Sequence, residues 1–159
     1  RRGGGQLPPP HTRPPMTQWR YTRLGMPITL LQVKHWFPER YTDHAERIRH
    51  VAYHMEHYIR RMPRRVTRVC IVMDLEAFRA GSLPMVHECI NVLRRHYPGR
   101  LGCACFINVP GYFHPVWKVI SPWLDEEILT KTHFLPSAVD DVEKAISWVD
   151  AHVQPVPEI

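Results

Sequence analysis

Apolar positions along this chain follow two rhythms. In residues 28–33 (ITLLQV), 66–75 (VTRVCIVMDL), 101–109 (LGCACFINV) and 131–135 (KTHFL) they form short dense runs rich in β-branched or aromatic side chains. Such runs predict strands of a buried sheet. Between them, apolar residues recur every three or four positions. Ile48, Val51, Met55, Ile59 and Met62 predict a helix over 42–61, stopped by Pro63. Ser82 caps a second helix with the stripe Met85, Val86, Cys89, Ile90 and Leu93, broken by Pro98-Gly99. Val116, Ile120 and Trp123, flanked by Trp117 and Leu124, predict a third over 114–124. A last helix is capped by Ser137, with Asp140 and Asp141 in its first turn and Val142, Ile146 and Val149 facing inward. Strands alternating with helices predict an α/β domain with a mostly parallel sheet floor and flanking helices.

Composition divides the chain. Residues 1–18 hold a glycine run and five prolines but little apolar surface. They cannot offset the entropy of ordering, so a disordered Pro/Gly-rich linker is expected there, with the folded domain over 19–159. The start lacks the apolar core of a secretory signal. No apolar run reaches the ~20 residues that span a bilayer. Cys70, Cys89, Cys103 and Cys105 fall in buried-looking elements without a Cys-x-x-Cys pair, which predicts reduced thiols and a cytoplasmic setting. Charge is graded: residues 1–20, 21–120 and 121–159 carry +4, +8 and −6. Such a dipolar chain suits an anionic surface.

Several constellations invite an enzyme reading, and each has a plainer one. Asp74 and Glu76 after an apolar strand suggest Mg²⁺-dependent phosphoryl transfer, but no phosphate-cradling loop accompanies them and Asp74 suits a turn cap. Cys89 and Arg95 have the spacing of cysteine phosphatases. The five residues between them contain no Gly and continue a helix, so their amides are used internally. His50, His54 and His57 share one helix arc, read as a solvated face rather than a metal site. Arg60, Arg61, Arg64, Arg65 and Arg68 suit a helix C-terminus or an anionic membrane. Aromatics are not interleaved with them, so no nucleic-acid partner is expected. No catalytic residue, metal or cofactor is assigned.

Six stretches carry a family likeness: Gly25-Met26-Pro27, Met73-Asp74-Leu75-Glu76-Ala77, Tyr97-Pro98-Gly99-Arg100, Ile107-Asn108-Val109-Pro110, Pro122-Trp123-Leu124-Asp125 and Thr130-Lys131. In order and spacing they resemble a CRAL-TRIO lipid-binding domain, over about residues 19–159. The resemblance implies a non-catalytic protein that binds, and transfers, a hydrophobic lipid between the sheet floor and a mobile gate helix. It implies a pocket lined by Val69, Ile71, Met73, Phe106, Val116, Ile120, Trp123 and Ile128. Trp117, Trp123 and Leu124 would form the membrane gate, and Arg100 and Lys131 would contact a headgroup.

The chain departs from the family's phosphatidylinositol pattern. The family's Glu and Thr positions hold Gly99 and Ile128, and only Lys131 matches. The Ser and Thr of the phosphatidylcholine site are replaced by Val69 and Ile71. Apolar residues cannot satisfy a buried phosphate. The expectation is an apolar pocket for a sterol-, isoprenoid- or acyl-like ligand, on a protein peripheral to membranes. The alternatives are a scaffold module with a protein partner on the Pro-rich tail, and the phosphoryl-transfer enzyme centred on Asp74.

Overall fold

The structure is a computed structural model that describes residues 20–35 and 43–154. The expected linker, the start of the domain at Trp19 and the first position of the first helix lie outside those residues. Four strands, β1 (Ile28–Gln32), β2 (Val69–Asp74), β3 (Leu101–Ile107) and β4 (Thr132–Phe134), form one parallel sheet in the order β1-β2-β3-β4. The helices are α1 (His44–Ile59), α2 (Leu83–His96), α3 (Phe113–Ile120), α4 (Glu126–Thr130) and α5 (Val142–His152). Each strand pairs with the next in sequence. Right-handed crossovers that always step the same way place their helices on one face. Accordingly α1, α2 and α3 cover one face, and α5, which follows the last strand, covers the other.

Side-chain alternation sorts the strands between the two faces. Ile28, Cys70, Val72, Cys103, Cys105 and Ile107 pack against Ala145 and Val149 of α5. Thr29, Leu31, Val69, Ile71, Met73, Ala104, Phe106 and Phe134 take the other parity and the other face. A bulge keeps this sorting in step across β2 and β3. Val69 pairs with Leu101 and Cys70 with Cys103, so Gly102 is the extra residue. A Cβ at Gly102 would come within 2.2 Å of Met26 Sδ, so only glycine fits there without moving that side chain.

Several expected boundaries shift for local reasons. The β2 strand starts at Val69 rather than at 66, because the chain turns through Arg65 at φ 72° and pairing begins only where β1 and β3 reach. The third helix ends at Ile120, and Ser121–Trp123 tighten into a 3₁₀ turn at Pro122. The acidic break after it is a helix, α4, whose first turn is closed by Ile128 N donating to Asp125 Oδ1 at 2.9 Å. The last helix is capped not by Ser137 but by Asp141, which accepts from Lys144 N at 2.8 Å. Ser82 does occupy the N-cap position of α2, but its side chain makes no capping bond.

Candidate functional site

The sheet face under α1–α3 carries no charged side chain among Thr29, Leu31, Val69, Ile71, Met73, Ala104, Phe106 and Phe134. Two helices lie over its β1–β2 half. Glu88 of α2 accepts from Arg47 and pairs with His44, both on α1, and the Arg47 guanidinium holds the Glu88 carboxyl below its ordinary range. Tyr97 donates to Glu56 at 3.0 Å, fastening the far end of the same pair. Over the β3–β4 half lies α3. Phe106 meets Phe134 at 5.0 Å, Trp117 at 5.7 Å and Phe113 at 6.1 Å between ring centroids. Such offset and edge contacts add to the apolar burial that holds α3 down.

Two spaces open on this face. A groove of about 470 Å³ runs beside the start of α3, lined by Val109, Pro110, Gly111, Phe113, His114, Trp117 and Phe134. A smaller space of about 70 Å³ lies between α1, α2 and the sheet, with Thr29, His50, His54, Tyr58 and Ile71 among its walls. The groove is in the size range of small-molecule sites and the smaller space is well below it.

The residues expected around the pocket divide between these features. Ile71 lines the smaller space. Met73, Val116 and Trp123 pack around the buried Phe106 and Ile120 in the cluster beneath α3. Val69 is fully buried, and Ile128 is half-buried on α4. Of the expected gate residues, Trp117 lines the groove, whereas Trp123 and Leu124 line neither space. All three are half-buried. Trp123 lies beside the exposed His87 of α2 at 4.7 Å between ring centroids, and its carbonyl accepts from Arg94 at 3.1 Å. The apolar side chains that do face water here are Tyr112, Val119, Phe134 and Val109, 56%, 49%, 44% and 37% exposed.

Arg100 and Lys131 line neither space. Each immediately precedes a strand, and each is committed to its neighbours. Arg100 donates to the Thr67 carbonyl at 3.1 Å. Lys131 donates to Glu127 Oε1 at 2.7 Å and to the Leu101 carbonyl at 3.2 Å.

The expectation that His50 and His54 face water is corrected. Both line the smaller space alongside Val51 and Met55, their rings 4.6 Å apart. Positions 50 and 51, like 54 and 55, are only ~100° apart around a helix, and the buried arc of α1 is wide enough to take in both. Burial lowers both imidazoles from their ordinary value, His54 to about 4. His57 instead stacks on Tyr53, whose ring is mostly exposed. The sequence signal that could have revealed this is the i, i+4, i+8 run of His50, His54 and Tyr58.

The enzyme-like constellations have structural roles. Asp74 is buried, and its Oδ1 accepts from Glu76 N at 3.0 Å and Asn108 Nδ2 at 3.1 Å. Asn108 adopts a left-handed φ of 52° and also donates to the Asp140 carbonyl, so the Ile-Asn-x-Pro motif ties strand ends together. Cys89 sits in α2, and burial pushes its thiol up to about 12, far from a nucleophilic thiolate. Among the described residues, no group of three His, Cys, Asp or Glu side chains could hold a metal ion, and no helix is long and apolar enough to cross a membrane.

The family model of the CRAL/TRIO domain matches residues 16–148. Over 90 residues the chain is 33% identical to CRAL-TRIO domain-containing protein C23B6.04c of Schizosaccharomyces pombe, covering 55% of this chain and 9% of that protein. Over 95 residues it is 25% identical to phosphatidylinositol transfer protein PDR17 of Saccharomyces cerevisiae, covering 55% and 27%. Over 73 residues it is 30% identical to the SEC14 cytosolic factor of Kluyveromyces lactis, covering 43% and 24%. These matches thus span at most 27% of the length of those relatives. The crystal structure of Sfh5 shares the fold, with a TM-score of 0.57 at 18% identity over 68% of this chain and 41% of that one.

Proposed function

The chain belongs to the CRAL/TRIO domain family, and on that premise we propose that it binds a hydrophobic lipid without catalysis and exchanges it with membranes. The observation that carries the reading is the uncharged sheet face, continuous with a groove whose rim exposes Val109 and Phe134. Contiguous exposed apolar surface marks a site of binding to a ligand, partner or membrane. One of the relatives, PDR17, is named a phosphatidylinositol transfer protein, which supports a lipid as the ligand.

The mechanism is apolar burial, worth about 25 cal/mol per Å² of surface removed from water. The ligand lies along Ile71, Met73 and Phe106, and α3 with Val116 and Ile120 lifts from the sheet to admit it. The exposed Tyr112 and Val119, with Lys118 between turns, contact the bilayer while this happens. Gly99, Ile128, Val69 and Ile71 argue against a buried phosphate as the recognised headgroup. Arg100 and Lys131 are held by the Thr67 carbonyl and by Glu127 with the Leu101 carbonyl, so the exposed Lys118 is the cation left to meet an anionic bilayer surface.

Native mass spectrometry of the purified chain, followed by lipid extraction, tests this. One defined lipid adduct is the expected result. A bare mass that persists after incubation with mixed liposomes would overturn it. It would favour a scaffold module instead, a reading helped by the small volume now open over Ile71.

A further inference from the structure

The space between α1, α2 and the sheet breaks the pattern of its surroundings. Its walls are Leu31, Val51, Met55, Ile71 and Leu93, yet Thr29, His50, His54 and Tyr58 also face it. The last three recur at i, i+4 and i+8, so they form a polar ladder down the arc of α1 that lies over an apolar sheet. Thr29, on β1, is 7% exposed, and its Oγ1 makes no hydrogen bond, although the Tyr58 phenol is close enough to feel it. A buried hydroxyl without a partner is uncommon, and polar groups placed against local rules gather at functional sites.

We infer that this space receives the polar end of the lipid, and that this end is a neutral hydroxyl or carbonyl group held by Thr29, His50, His54 and Tyr58. The inference rests on the lipid-binding reading above and adds the headgroup class.

The donor set is what selects the class. A neutral imidazole offers one N–H and one acceptor nitrogen, and a Thr or Tyr hydroxyl both donates and accepts. Burial keeps both imidazoles neutral at pH 7 and raises the Tyr58 phenol, so all four groups are uncharged and amphoteric. A hydroxyl or carbonyl meets its needs among them. A phosphate does not, because no Lys or Arg lines the space. Size agrees: about 70 Å³ holds the equivalent of roughly two waters, enough for a polar terminus but not for a lipid body. The body continues from Ile71 to Met73 and Phe106, which share its face of the sheet and lead beneath α3.

The test offers the full chain phosphatidylcholine vesicles containing trace labelled cholesterol, diacylglycerol, squalene or phosphatidylinositol, and measures label left with the protein after the vesicles are pelleted. The expected result is uptake of cholesterol or diacylglycerol over phosphatidylinositol. His54→Phe and Thr29→Val should each lower that uptake roughly tenfold, as loss of a buried hydrogen-bond partner does, without lowering squalene uptake. Tyr58→Phe removes one oxygen and keeps the ring, so it carries the test if His54→Phe does not fold. Preferred uptake of phosphatidylinositol, or hydroxyl-lipid uptake unchanged in the variants, overturns the headgroup assignment and leaves the lipid-binding reading standing. No uptake of any label overturns both.

Discussion

The two faces of one sheet are built by opposite rules. Under α5, Cys70, Val72, Cys103 and Cys105 are all 0% exposed, and small side chains let Ala145 and Val149 sit close against the strands. Under α1–α3, the intervening residues Ile71, Met73 and Ala104 are only half-buried, and the cover is a mixture of large aromatics, histidines and gaps. One residue of register separates the two environments. Dense packing of small residues gives a floor that does not deform, whereas a loosely covered face can part from its helices at low cost. The first face is the scaffold, and the second is where a ligand is proposed to lie.

The sharpest way to break this contrast is to place a charge on each face. Val72→Asp buries an unpaired carboxylate in the dry layer and should cost more than about 4 kcal/mol, enough to prevent folding of most domains this size. Ile71→Asp, one residue away but beside a space lined by hydroxyls and imidazoles, should cost clearly less. Urea denaturation of both variants checks this, and equal losses would mean that the faces do not differ.

Acid should act through the looser face. The folded value of His54, about 4, lies below its ordinary 6.5, mainly through burial and then through the neighbouring His50 and His57. Between those values the unfolded chain takes up a proton that the fold refuses. Stability is therefore full above about pH 6.5 and falls by roughly 2–3 kcal/mol as pH drops toward 4. His50, also lowered by burial, adds to the same loss. Denaturation midpoints from pH 7 to pH 4.5 should fall steeply in the native chain and much less in His54→Phe. A parallel slope in the variant would place the acid sensitivity elsewhere.

The elements were legible in sequence because each strand is a dense apolar run and each long helix keeps its spacing. Val69–Asp74 and Leu101–Ile107 could hardly be anything else. What escaped notice depended on partners that no local pattern contains. Asp125-Glu126-Glu127 looks like a break, yet Asp125 folds back to cap a helix. Ser137 looks like a cap, yet Asp141 does the capping. His50 and His54 pass for a solvated stripe because periodicity gives the direction of an arc but not its width. Trp123 is expected at the membrane interface, and its packing on the Phe106 and Ile120 cluster and beside His87 of α2 depends on contacts that spacing does not contain. The site was thus legible as a choice of sheet face, while the polar ladder opposite Ile71 was not.

Thiol reactivity sharpens the comparison at a smaller scale. Cys70, Cys103 and Cys105 lie in the dry layer, and Cys89 lines the smaller space on the other face. All four should resist iodoacetamide at pH 8, Cys89 because its thiol is pushed up to about 12. If the looser face opens locally, Cys89 should still label at least about tenfold faster than the other three, which would wait for global unfolding. Mass spectrometry of partially labelled protein would give the four rates. A common rate would show that both faces open together and would remove the basis for a separable cover.

The smallest effect on stability should carry the largest effect on membrane contact. Val119 is 49% exposed on α3, one position from the buried Ile120, so it adds little to the core. Val119→Asp should change the unfolding free energy by no more than about 0.5 kcal/mol, as exposed substitutions generally do. It would nonetheless set a charge on the surface proposed to enter the bilayer boundary, where Val is favourable and a carboxylate is not. Co-sedimentation with phosphatidylcholine vesicles should therefore weaken severalfold at unchanged stability. Trp123→Asp is a poorer probe, because Trp123 packs on α2 and its loss would mix unfolding with binding. Unchanged sedimentation of Val119→Asp would remove α3 as the docking element, and the exposed Phe134 of the edge strand would be the next residue to change.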